Sequence, residues 1–395
     1  MNIIIVHSGP FPFGMAAVNR MISYARGLVE LSHRVYVLCI KPSEHIHGPV
    51  NNTLVTGTYA GINFTYTSGT TQRKKIFAAR VLDSAKGLIR ALRRIRKLHK
   101  NPGIDVIFMG LTNLIYTSIL FFFCRIRGIK IIQERSEYPF IGINNFWQRF
   151  NLFIYLHVTC KLFDGLFVIT EALKQYFERF IRRNAKIMIL PMLVEPDRFT
   201  TEKDHFNTDS EYIAYCGVLS GDKDGIPILI DAFKAISQKH RNLKLFLIGE
   251  TDVPDFNGLV EKISQNDLTD RVVFTGRIER DQLPAYLQSS KILALARPES
   301  KQAEGGFPTK LGEYLAAGRP VVVTSVGEIP VYLKDGVNAF IAKPNDPVSF
   351  AEKLDFAISN PELADKIGEE GRKLVYNEFN YKVQSQKLAD FITSL

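Results

Sequence analysis

Short apolar, β-branched runs alternate with helix-like segments along most of the chain, and this alternation limits the fold more than any other feature. The run Asn2–Val6 is followed by a turn, Ser8–Gly14, then by a helical pattern, Met15–Leu31, and by a second run, Arg34–Ile40. This succession predicts a βαβ unit, because two parallel strands need a crossover connection of about this length. A parallel sheet is therefore the expected core of the first half.

The second half repeats the alternation from Glu211 onward. Its helix-like segments lie near 226–237, 257–266, 280–288 and 309–317. The apolar runs between them read YIAYC, LKLFLI, RVVFT, ILALA and PVVVT. Two such series predict an α/β protein with two Rossmann-like, doubly wound parallel-sheet domains that face each other across a cleft. Ligands are then expected at the carboxyl ends of the strands.

The expected domain boundaries follow from this pattern. An N-terminal domain covers 1–190 and a C-terminal domain covers 211–378, each long enough to bury its own core. Between them, 191–210 contains two prolines and a polar tail, which is typical of a linker. The helical pattern over 379–395 predicts a C-terminal helix, which we expect to pack back on the N-terminal domain.

The composition narrows the class of protein. With 46% hydrophobic and 23% charged residues, the chain is neither disordered nor collagen-like. Its four cysteines lie far apart, without a CxxC pair or histidines at metal-ligand spacing. The cysteines therefore indicate neither a zinc site nor a redox pair, and we expect a reducing, cytoplasmic compartment. No secretory leader is recognisable, and the best membrane-span candidate, Leu114–Cys124, has 11 residues where about 20 are needed.

The positive charge is concentrated in the first half. Residues 1–190 hold 26 Lys and Arg against 9 Asp and Glu, whereas 191–395 hold 24 against 31. The stretch 73–100 alone carries 11 Lys and Arg and one acid, Asp83. Apolar side chains recur there every three or four residues, which predicts a basic amphipathic helix. The apolar positions are Val81, Ala85, Leu88, Leu92 and Ile95.

An anionic partner suits this basic helix. A membrane surface is favoured over nucleic acid, because no nucleic-acid-binding module is recognisable and no aromatic residues alternate with the arginines. The apolar stretch Phe146–Phe163, which holds the only tryptophan, is either an interfacial helix or core. We therefore expect peripheral attachment to the inner face of a membrane and no nucleic-acid partner.

The segment Ala303–Ser325 has the densest chemical signal. A Gly-Gly pair leads into a helix expected near Thr309, whose hydroxyl can cap it. Free amides at the helix start, with the positive end of the helix dipole, suit an anion such as phosphate. Glu313, one turn later, can accept hydrogen bonds from two vicinal hydroxyls, as on a ribose. The alternative is an ordinary capped helix between two strands, ended by Gly318 and Pro320.

This segment resembles the donor-binding signature of family 4 glycosyltransferases, which are retaining enzymes of the GT-B fold. The resemblance extends to GPFPFGMAAVNR, YCGVLSGDKDGIPILIDAF, NLKLFLIG, RVVFTGRI and GEIPVYLKDGVNAFIAKPND, and so covers nearly the whole chain. It is most specific over Tyr215–Asp346. It implies a GT-B fold with an N-terminal acceptor-binding domain and a C-terminal domain that binds a nucleotide-sugar.

The resemblance also implies roles for single residues. Glu313 is expected to hold the ribose hydroxyls of the nucleotide-sugar, and Lys223 to neutralise its diphosphate. The backbone from Gly305 to Lys310 would line the sugar and the diphosphate. The predicted donor-binding residues are Gly217, Lys223, Arg277, Ile278, Gly305, Gly306, Phe307, Pro308, Thr309, Lys310, Leu311 and Glu313.

Glu304 is a predicted catalytic residue at an unusual spacing. The family commonly has seven residues between two glutamates, whereas eight separate Glu304 from Glu313. Either Glu304 reaches the donor sugar, or backbone groups of Gly305 and Gly306 take over its contacts.

The other predicted catalytic residues are the cations Lys223 and Arg297. The family often has an arginine after the glycine at position 217, where this chain has Val218. Arg297 is the candidate to complete the diphosphate site in its place. The alternative for Arg297 is a structural salt bridge.

The predicted acceptor-binding residues are Gly14, Met15, Ala16, Arg135 and Glu137. The first three lie in the turn after the first strand, where the resemblance implies contact with donor phosphate and acceptor. The other two lie in Gln133–Phe140, directly after a strand, where many family members have a histidine and this chain has none. For Glu134 in the same segment, the alternative is an internal ion-pair network.

Together these features predict a glycosyltransferase, and the resemblance implies that it retains anomeric configuration and needs no bound metal and no cofactor. It would move a sugar from a UDP- or GDP-type donor to a saccharide or lipid-linked acceptor in cell-surface polysaccharide or glycan assembly. Two alternatives stay open: a sugar-nucleotide epimerase of the same fold, which needs no acceptor, and a non-catalytic membrane-binding module. A glycosidase is less consistent with a phosphate site at a helix start.

Overall fold

The computed structural model of the chain describes residues 1–45, 50–110, 114–199, 206, 208–219 and 223–395. It contains two units, Met1–Leu193 with Tyr381–Leu395, and Val194–Asn380. Part of the predicted linker, 200–205 and 207, lies outside the described residues, and so do 220–222 in the loop after Gly217.

The described residues form strands and helices in alternation along both units. The strands are β1 Asn2–His7, β2 Arg34–Cys39, β3 Thr56–Tyr59, β4 Ile62–Tyr66, β5 Val106–Met109, β6 Lys130–Arg135, β7 Gly165–Val168, β8 Lys186–Ile189, β9 Tyr212–Cys216, β10 Lys244–Ile248, β11 Val272–Gly276, β12 Ile292–Leu295, β13 Val321–Thr324 and β14 Phe340–Ala342. The helices are α1 Ala16–Glu30, α2 Phe77–Lys100, α3 Leu114–Arg125, α4 Phe146–His157, α5 Glu171–Glu178, α6 Ile226–Ser237, α7 Phe256–Gln265, α8 Leu283–Gln288, α9 Lys301–Gly305, α10 Thr309–Ala316, α11 Ile329–Tyr332, α12 Pro347–Ser359, α13 Pro361–Leu374 and α14 Tyr381–Thr393. Short 3-10 turns lie at Thr159–Leu162 and Pro196–Phe199.

The sheet of the first unit has the order β3-β4-β2-β1-β5-β6-β7-β8 in the described residues. Every neighbouring pair is parallel except β3 with β4. Residues Ile3–Val6 of the central strand β1 are at most 2% exposed, as expected for a parallel strand covered on both faces. From β1 to β2 the chain moves one way across the sheet, and from β4 through β5 to β8 it moves the other way.

The direction in which the chain crosses the sheet determines on which face of the sheet each connecting helix lies. Crossovers between parallel strands are almost always right-handed, so α1 lies on one face of the sheet and α2, α3, α4 and α5 lie on the other. The C-terminal helix α14 packs on α1. The two helices touch at Gly27, where an added Cβ would lie 2.2 Å from the Ser385 hydroxyl, and the Tyr381 hydroxyl donates to Glu30. The last 15 residues therefore belong to the first unit.

The second unit has an all-parallel sheet of order β11-β10-β9-β12-β13-β14 in its described residues. The chain moves from β9 to β10 and β11 on one side, then returns to β12 beside β9 and continues to β13 and β14 on the other side. The order thus reverses between β9 and β12. The carboxyl ends of the two strands at such a switch point are where ligands bind in open α/β sheets.

Helix α2 differs in part from the predicted amphipathic helix. Leu88 and Ile95 are buried, as predicted, but Val81 is 49% exposed. The other buried positions on α2 include Gly87, Ala91 and Leu98. The apolar stretch Phe146–Phe163 does not begin in the core, because Trp147 on α4 is 71% exposed.

Candidate active site

The candidate site of the second unit is built around Gly217, directly after β9. Its amide donates to the Ile248 carbonyl at 2.9 Å, which holds it at the carboxyl edge of the sheet. A Cβ added at Gly217 would lie 2.1 Å from Nζ of Lys310 and 2.5 Å from the Tyr215 hydroxyl. A side chain at this position would therefore displace the ammonium of Lys310 and the hydroxyl of Tyr215.

Lys310 is paired inside this site. Its ammonium contacts the Asp224 carboxylate and bonds the Tyr215 hydroxyl at 3.0 Å, and the same hydroxyl donates to Asp224 at 2.9 Å. Burial alone would raise the pKa of Asp224, but the charge and hydrogen bond of Lys310, the hydrogen bond of Tyr215 and the charge of Arg297 lower it. Burial, with Asp224 nearby, raises the pKa of Tyr215 well above its ordinary value. At neutral pH Asp224 is therefore a carboxylate and Tyr215 a neutral phenol.

Arg297 follows β12 and is only 4% exposed. Its Nη2 donates to the Gln302 carbonyl at 3.1 Å, and its own carbonyl accepts from the Thr324 hydroxyl at 2.5 Å. A Cβ added at Gly306 would lie 3.3 Å from Nη2, so the guanidinium lies against the Gly-Gly segment. Its charge also lowers the pKa of Asp224. The buried Arg297 and the partly buried Lys310 are thus the two cations that act on this carboxylate.

Gly225 explains how Asp224 reaches this position. It has a left-handed backbone (φ 70°) directly before α6, and an added Cβ would lie 1.9 Å from the Ala296 carbonyl oxygen. The backbones after β9 and β12 can approach this closely only through a glycine. The contact brings Asp224 beside the Arg297 segment.

Helix α10 begins differently from the prediction. Thr309 is its first helical residue, and Pro308, which has no side-chain hydrogen-bonding group, occupies the capping position. The prediction that the Thr309 hydroxyl caps the helix is therefore wrong. A helix start without a capping side chain leaves first-turn amides to another acceptor. Phe307 before it is buried against Tyr332 and Phe379, with ring centroids 5.4 and 5.7 Å away.

Tyr314 fastens α10 to the end of β9. Its hydroxyl accepts from the Cys216 amide at 2.6 Å and donates to the Cys216 carbonyl at 3.2 Å. The ring is fully buried. Sequence analysis does not identify this residue, although its place one position after Glu313 on an amphipathic helix indicates an inward-facing side chain. The contact sets the distance between the helix start and Gly217.

Glu313 lies one turn into α10 and is paired with a residue from the predicted linker. Its Oε1 accepts from Nη1 of Arg198 at 2.6 Å, with side-chain exposures of 30% and 17%. Arg198 also donates to the Arg280 carbonyl at 2.7 Å, and Arg280 pairs with Glu195 at 2.8 Å. Arg198 lies on the turn Pro196–Phe199, whose apolar ends are buried. The second unit thus begins at Val194, within the range predicted as linker.

The remaining donor-side residues lie at the rim. Glu304 is on the short helix α9, and its half-exposed carboxylate pairs with Lys301 at 2.6 Å. Lys223 is exposed and directly precedes Asp224. Arg277 is exposed and Ile278 partly buried, after Gly276, which has a left-handed backbone (φ 73°). The structure brings Gly217 against Lys310 and Gly306 against Arg297. Glu304, Lys223, Arg277 and Ile278 lie outside these contacts.

The predicted acceptor residues lie in the first unit. Gly14, Met15 and Ala16 are exposed where α1 begins. The Arg135 guanidinium lies 5.0 Å from the Tyr155 ring centroid, and Glu137 is exposed.

Glu134, in the same segment as Arg135, takes part in an internal ion-pair network, which was the alternative for this residue. Arg20 pairs with it at 2.6 Å, and the Tyr24 hydroxyl donates to it at 3.1 Å. Arg20 also donates to the carbonyls of Leu190 and Pro191, so Glu134 belongs to an internal network.

His7 is a further polar group that sequence analysis does not single out. It ends β1, beside the switch between β1 and β5, and an added Cβ at Gly9 would lie 2.7 Å from its Nε2. Burial lowers the pKa of His7 to about 4, although a backbone hydrogen bond with Pro10 opposes the shift. The imidazole is therefore neutral at pH 7. Its position directly after a β-branched run is the sequence signal for it.

Among the described residues, no group of three or more His, Cys, Asp and Glu is placed to hold a metal ion. None of the helices in the described part of the chain is both long enough and apolar enough to span a bilayer.

Comparison with known proteins identifies the second unit. Residues 197–374 match the family model of glycosyl transferases group 1. An uncharacterized glycosyltransferase of Methanocaldococcus jannaschii is 31% identical over 44% of this chain and 42% of that protein. N-acetyl-alpha-D-glucosaminyl L-malate synthase of Bacillus anthracis is 28% identical (36% and 35%), and an amylovoran biosynthesis glycosyltransferase of Erwinia amylovora is 26% identical (53% and 51%). The chain thus spans about half or less of these curated relatives.

Solved structures match over the whole chain. Sucrose-phosphate synthase from Thermosynechococcus elongatus has a TM-score of 0.74 at 14% identity, over 100% of this chain and 98% of that one. HepE of Anabaena in complex with UDP has a TM-score of 0.73 at 14% identity, over 100% of both chains. These likenesses concern the fold, and they confirm the predicted class: two parallel-sheet α/β domains as in GT-B glycosyltransferases.

Proposed function

We propose that this chain, which carries a glycosyl transferases group 1 domain, is a glycosyltransferase that takes a sugar from a nucleotide-sugar donor. The observation that carries the proposal is the family match over 197–374, which includes the switch-point site from Arg198 to Glu313. That site combines an uncapped helix start, one buried and one partly buried cation, and a half-buried carboxylate. Diphosphate and ribose are the two ligand groups that this combination suits.

In the proposed complex, the donor diphosphate lies at the start of α10. The amides of Thr309 and Lys310 and the ammonium of Lys310 face the phosphate oxygens, with Arg297 supporting them through the Gly-Gly segment. Stabilising the charge that develops on a leaving group is usually the largest contribution of an active site. Lys223, predicted from the family pattern, is an exposed second cation for the same group.

Glu313 is proposed to accept hydrogen bonds from the ribose hydroxyls. Arg198 holds one of its carboxylate oxygens, which orients the side chain before the donor arrives. Arg277 and Ile278 are proposed to contact the base, and Glu304 or the backbone of Gly305 to contact the sugar.

The proposed reaction retains configuration at the anomeric carbon. The bond between that carbon and the diphosphate oxygen breaks, an acceptor oxygen bonds the same face of the carbon, and the acceptor proton passes to the leaving phosphate. No metal is assigned a role. Gly14, Met15, Ala16, Arg135 and Glu137 are the proposed acceptor contacts.

The proposed donor is of the UDP or GDP type, and the acceptor is a saccharide or a lipid-linked saccharide in polysaccharide or glycan assembly. Support comes from HepE, of the same fold, whose structure contains UDP and glucose, and from the relative in amylovoran biosynthesis. The exposed cations of α2 favour peripheral attachment to an anionic, cytoplasmic membrane face.

A thermal-shift screen of the full chain against UDP-, GDP-, ADP- and CMP-sugars tests the donor class. One nucleotide class is expected to raise the melting temperature, since a ligand at 100 times its Kd stabilises a protein by about 2.7 kcal/mol. Incubation of that donor with and without a lipid-extract acceptor then separates transfer from epimerisation. Donor consumption that is equally fast without acceptor would contradict the proposal, and so would the absence of any shift.

A further inference from the structure

The outward stripe of α3 is apolar, which is the reverse of an ordinary surface helix. Ile115, Ile119 and Phe122 follow one another at spacings of four and three residues and so lie on one side of the helix, and Ile126 directly follows its last residue. They are 40–82% exposed. A helix at the surface of a water-soluble protein normally presents polar residues on this side.

Helix α4 continues the apolar surface. Phe146, Trp147, Phe150 and Phe153 are 48–73% exposed. At about 150–250 Å2 for an aromatic side chain, these four and Phe122 together expose on the order of 600 Å2. The largest apolar patch of a typical monomer is only about 300–600 Å2, before any of the isoleucines here are added. Such a surface marks a binding face rather than scattered exposure.

The two helices share one face of the first unit. Both connect parallel strands in the same direction across the sheet, so their right-handed crossovers lie on the same side. Each of them contacts the turn Thr159–Leu162, and α3 also contacts α2. The N-terminal half of α2 adds Phe77, Val81 and Leu82, all about half exposed or more.

The positive charge around this apolar surface indicates which kind of partner binds there. Helices α2, α3 and α4 together hold ten Lys and Arg and one acid, Asp83, which is buried and paired with Lys74. Arg93, Arg94 and Arg96 are exposed. A second copy of the chain would bring the same cations against each other across a two-fold interface, which is unfavourable. An anionic bilayer offers opposite charge at the headgroups and an apolar layer beneath them.

We propose that the outer faces of α3 and α4 insert into the interface of an anionic lipid bilayer, with the cations of α2 bound to the headgroups beside them. The aromatic side chains of α4 suit this depth, because amphipathic rings concentrate where headgroups meet acyl chains. The inference does not depend on the transfer reaction, since it concerns a face built entirely from the first unit and is measured by binding alone.

Trp147 provides a direct test, because it is the only tryptophan and lies within the proposed surface. Vesicles of phosphatidylcholine with about one third phosphatidylglycerol are added to the full chain at low protein concentration. The emission is expected to shift to the blue, and quenching by acrylamide is expected to fall several-fold. A blue shift that follows protein concentration without vesicles would identify a second copy as the occupant and overturn the proposal. No shift under either condition would overturn it as well.

Variants separate the two parts of the surface, and Trp147 is kept as the reporter in each. Combining Ile119→Gln, Phe122→Gln and Phe150→Gln is expected to lower the partition coefficient about tenfold or more on all vesicles. Combining Arg93→Gln, Arg94→Gln and Arg96→Gln is expected to lower it by a similar factor on anionic vesicles only, and less at high salt.

The matched control combines Val337→Gln, Val348→Gln and Leu363→Gln in the second unit, where these side chains are 44–66% exposed. The control is expected to bind vesicles and donor nucleotide as the parent chain does. Unchanged partitioning of the α3–α4 variant would overturn the proposal. If that variant does not fold, the depth of Trp147 in the parent chain, measured with brominated lipids, still decides between insertion and surface contact.

Discussion

Replacing Glu313 by Ala removes the carboxylate that we propose for the ribose hydroxyls. A hydrogen bond to a charged group contributes about 1.5–3 kcal/mol, and each 1.4 kcal/mol changes Kd tenfold. The Kd for the donor nucleotide is therefore expected to rise about 10- to 100-fold. The variant also separates Arg198 from its partner at 2.6 Å.

The cost to folding is smaller than the cost to binding. Arg198 keeps its bond to the Arg280 carbonyl, and the Glu313 side chain is 30% exposed, so solvent already screens part of the pair. We expect the free energy of unfolding to fall by about 1 kcal/mol, which lowers the melting temperature of a unit this size by about 2–4 °C. The two effects are therefore distinguishable.

Isothermal titration calorimetry with UDP and GDP measures the binding change on folded protein, and thermal unfolding measures the stability change. Glu261→Ala is the matched control, since Glu261 is an exposed helical glutamate of the same unit. Arg198→Ala is expected to weaken nucleotide binding less than Glu313→Ala, because it disorders the carboxylate without removing it. If Glu313→Ala binds the nucleotide as tightly as the parent chain, Glu313 is not the ribose ligand and the assignment is refuted.

Three further predictions concern the same unit. Gly225→Ala is expected to lower the free energy of unfolding in urea by about 3 kcal/mol or more, because the backbone is left-handed there and a carbonyl oxygen would lie 1.9 Å from the new Cβ. Gly258→Ala is the control and is not expected to lower it, because the space around Gly258 is open. The pKa of Asp224 is lowered in the folded protein, so its charged form stabilises the fold above about pH 4, and this stabilisation is lost as the pH falls through the folded-state pKa. Melting temperatures measured between about pH 2 and 6 should therefore depend less on pH in Asp224→Asn than in the parent chain. An unchanged pH profile would contradict the pairing of Asp224 with Lys310. Lys310→Met is expected to lower kcat/KM with the identified donor about 100-fold, and Lys223→Met about tenfold or less; the reverse order would make the exposed lysine the principal cation.

Much of the fold and part of the site follow from local sequence. The runs Asn2–Val6 and Tyr212–Cys216 are strands because their residues are β-branched or aromatic and bounded by turns, a property of neighbours in the chain. Helix α1 begins at Ala16, one residue after its predicted start, for the same reason. The glycines Gly217 and Gly306 could be singled out because they belong to segments that resemble the donor-binding signature.

The ion pairs of the site could not be predicted from local sequence. Lys310 and Asp224 are 86 residues apart and touch because β9 and β12 are neighbours at the switch point of the sheet. Arg198 falls in a segment whose prolines and polar residues indicate a linker, yet its turn packs into the second unit and reaches Glu313. Such pairs depend on strand order, which periodicity does not encode.

The sequence by itself determined the α/β class, the two series of strands and helices, the concentration of positive charge in the first half and the helix that carries Glu313. Only the tertiary structure decided that the partly buried ammonium of Lys310 lies beside Gly217, that Asp224 pairs with it, and that the apolar stripe of α3 faces outward. The physical reason is the same in each case. Local patterns set the conformation of a segment, whereas burial and ion pairing are set by the segments packed against it, which are distant in the chain.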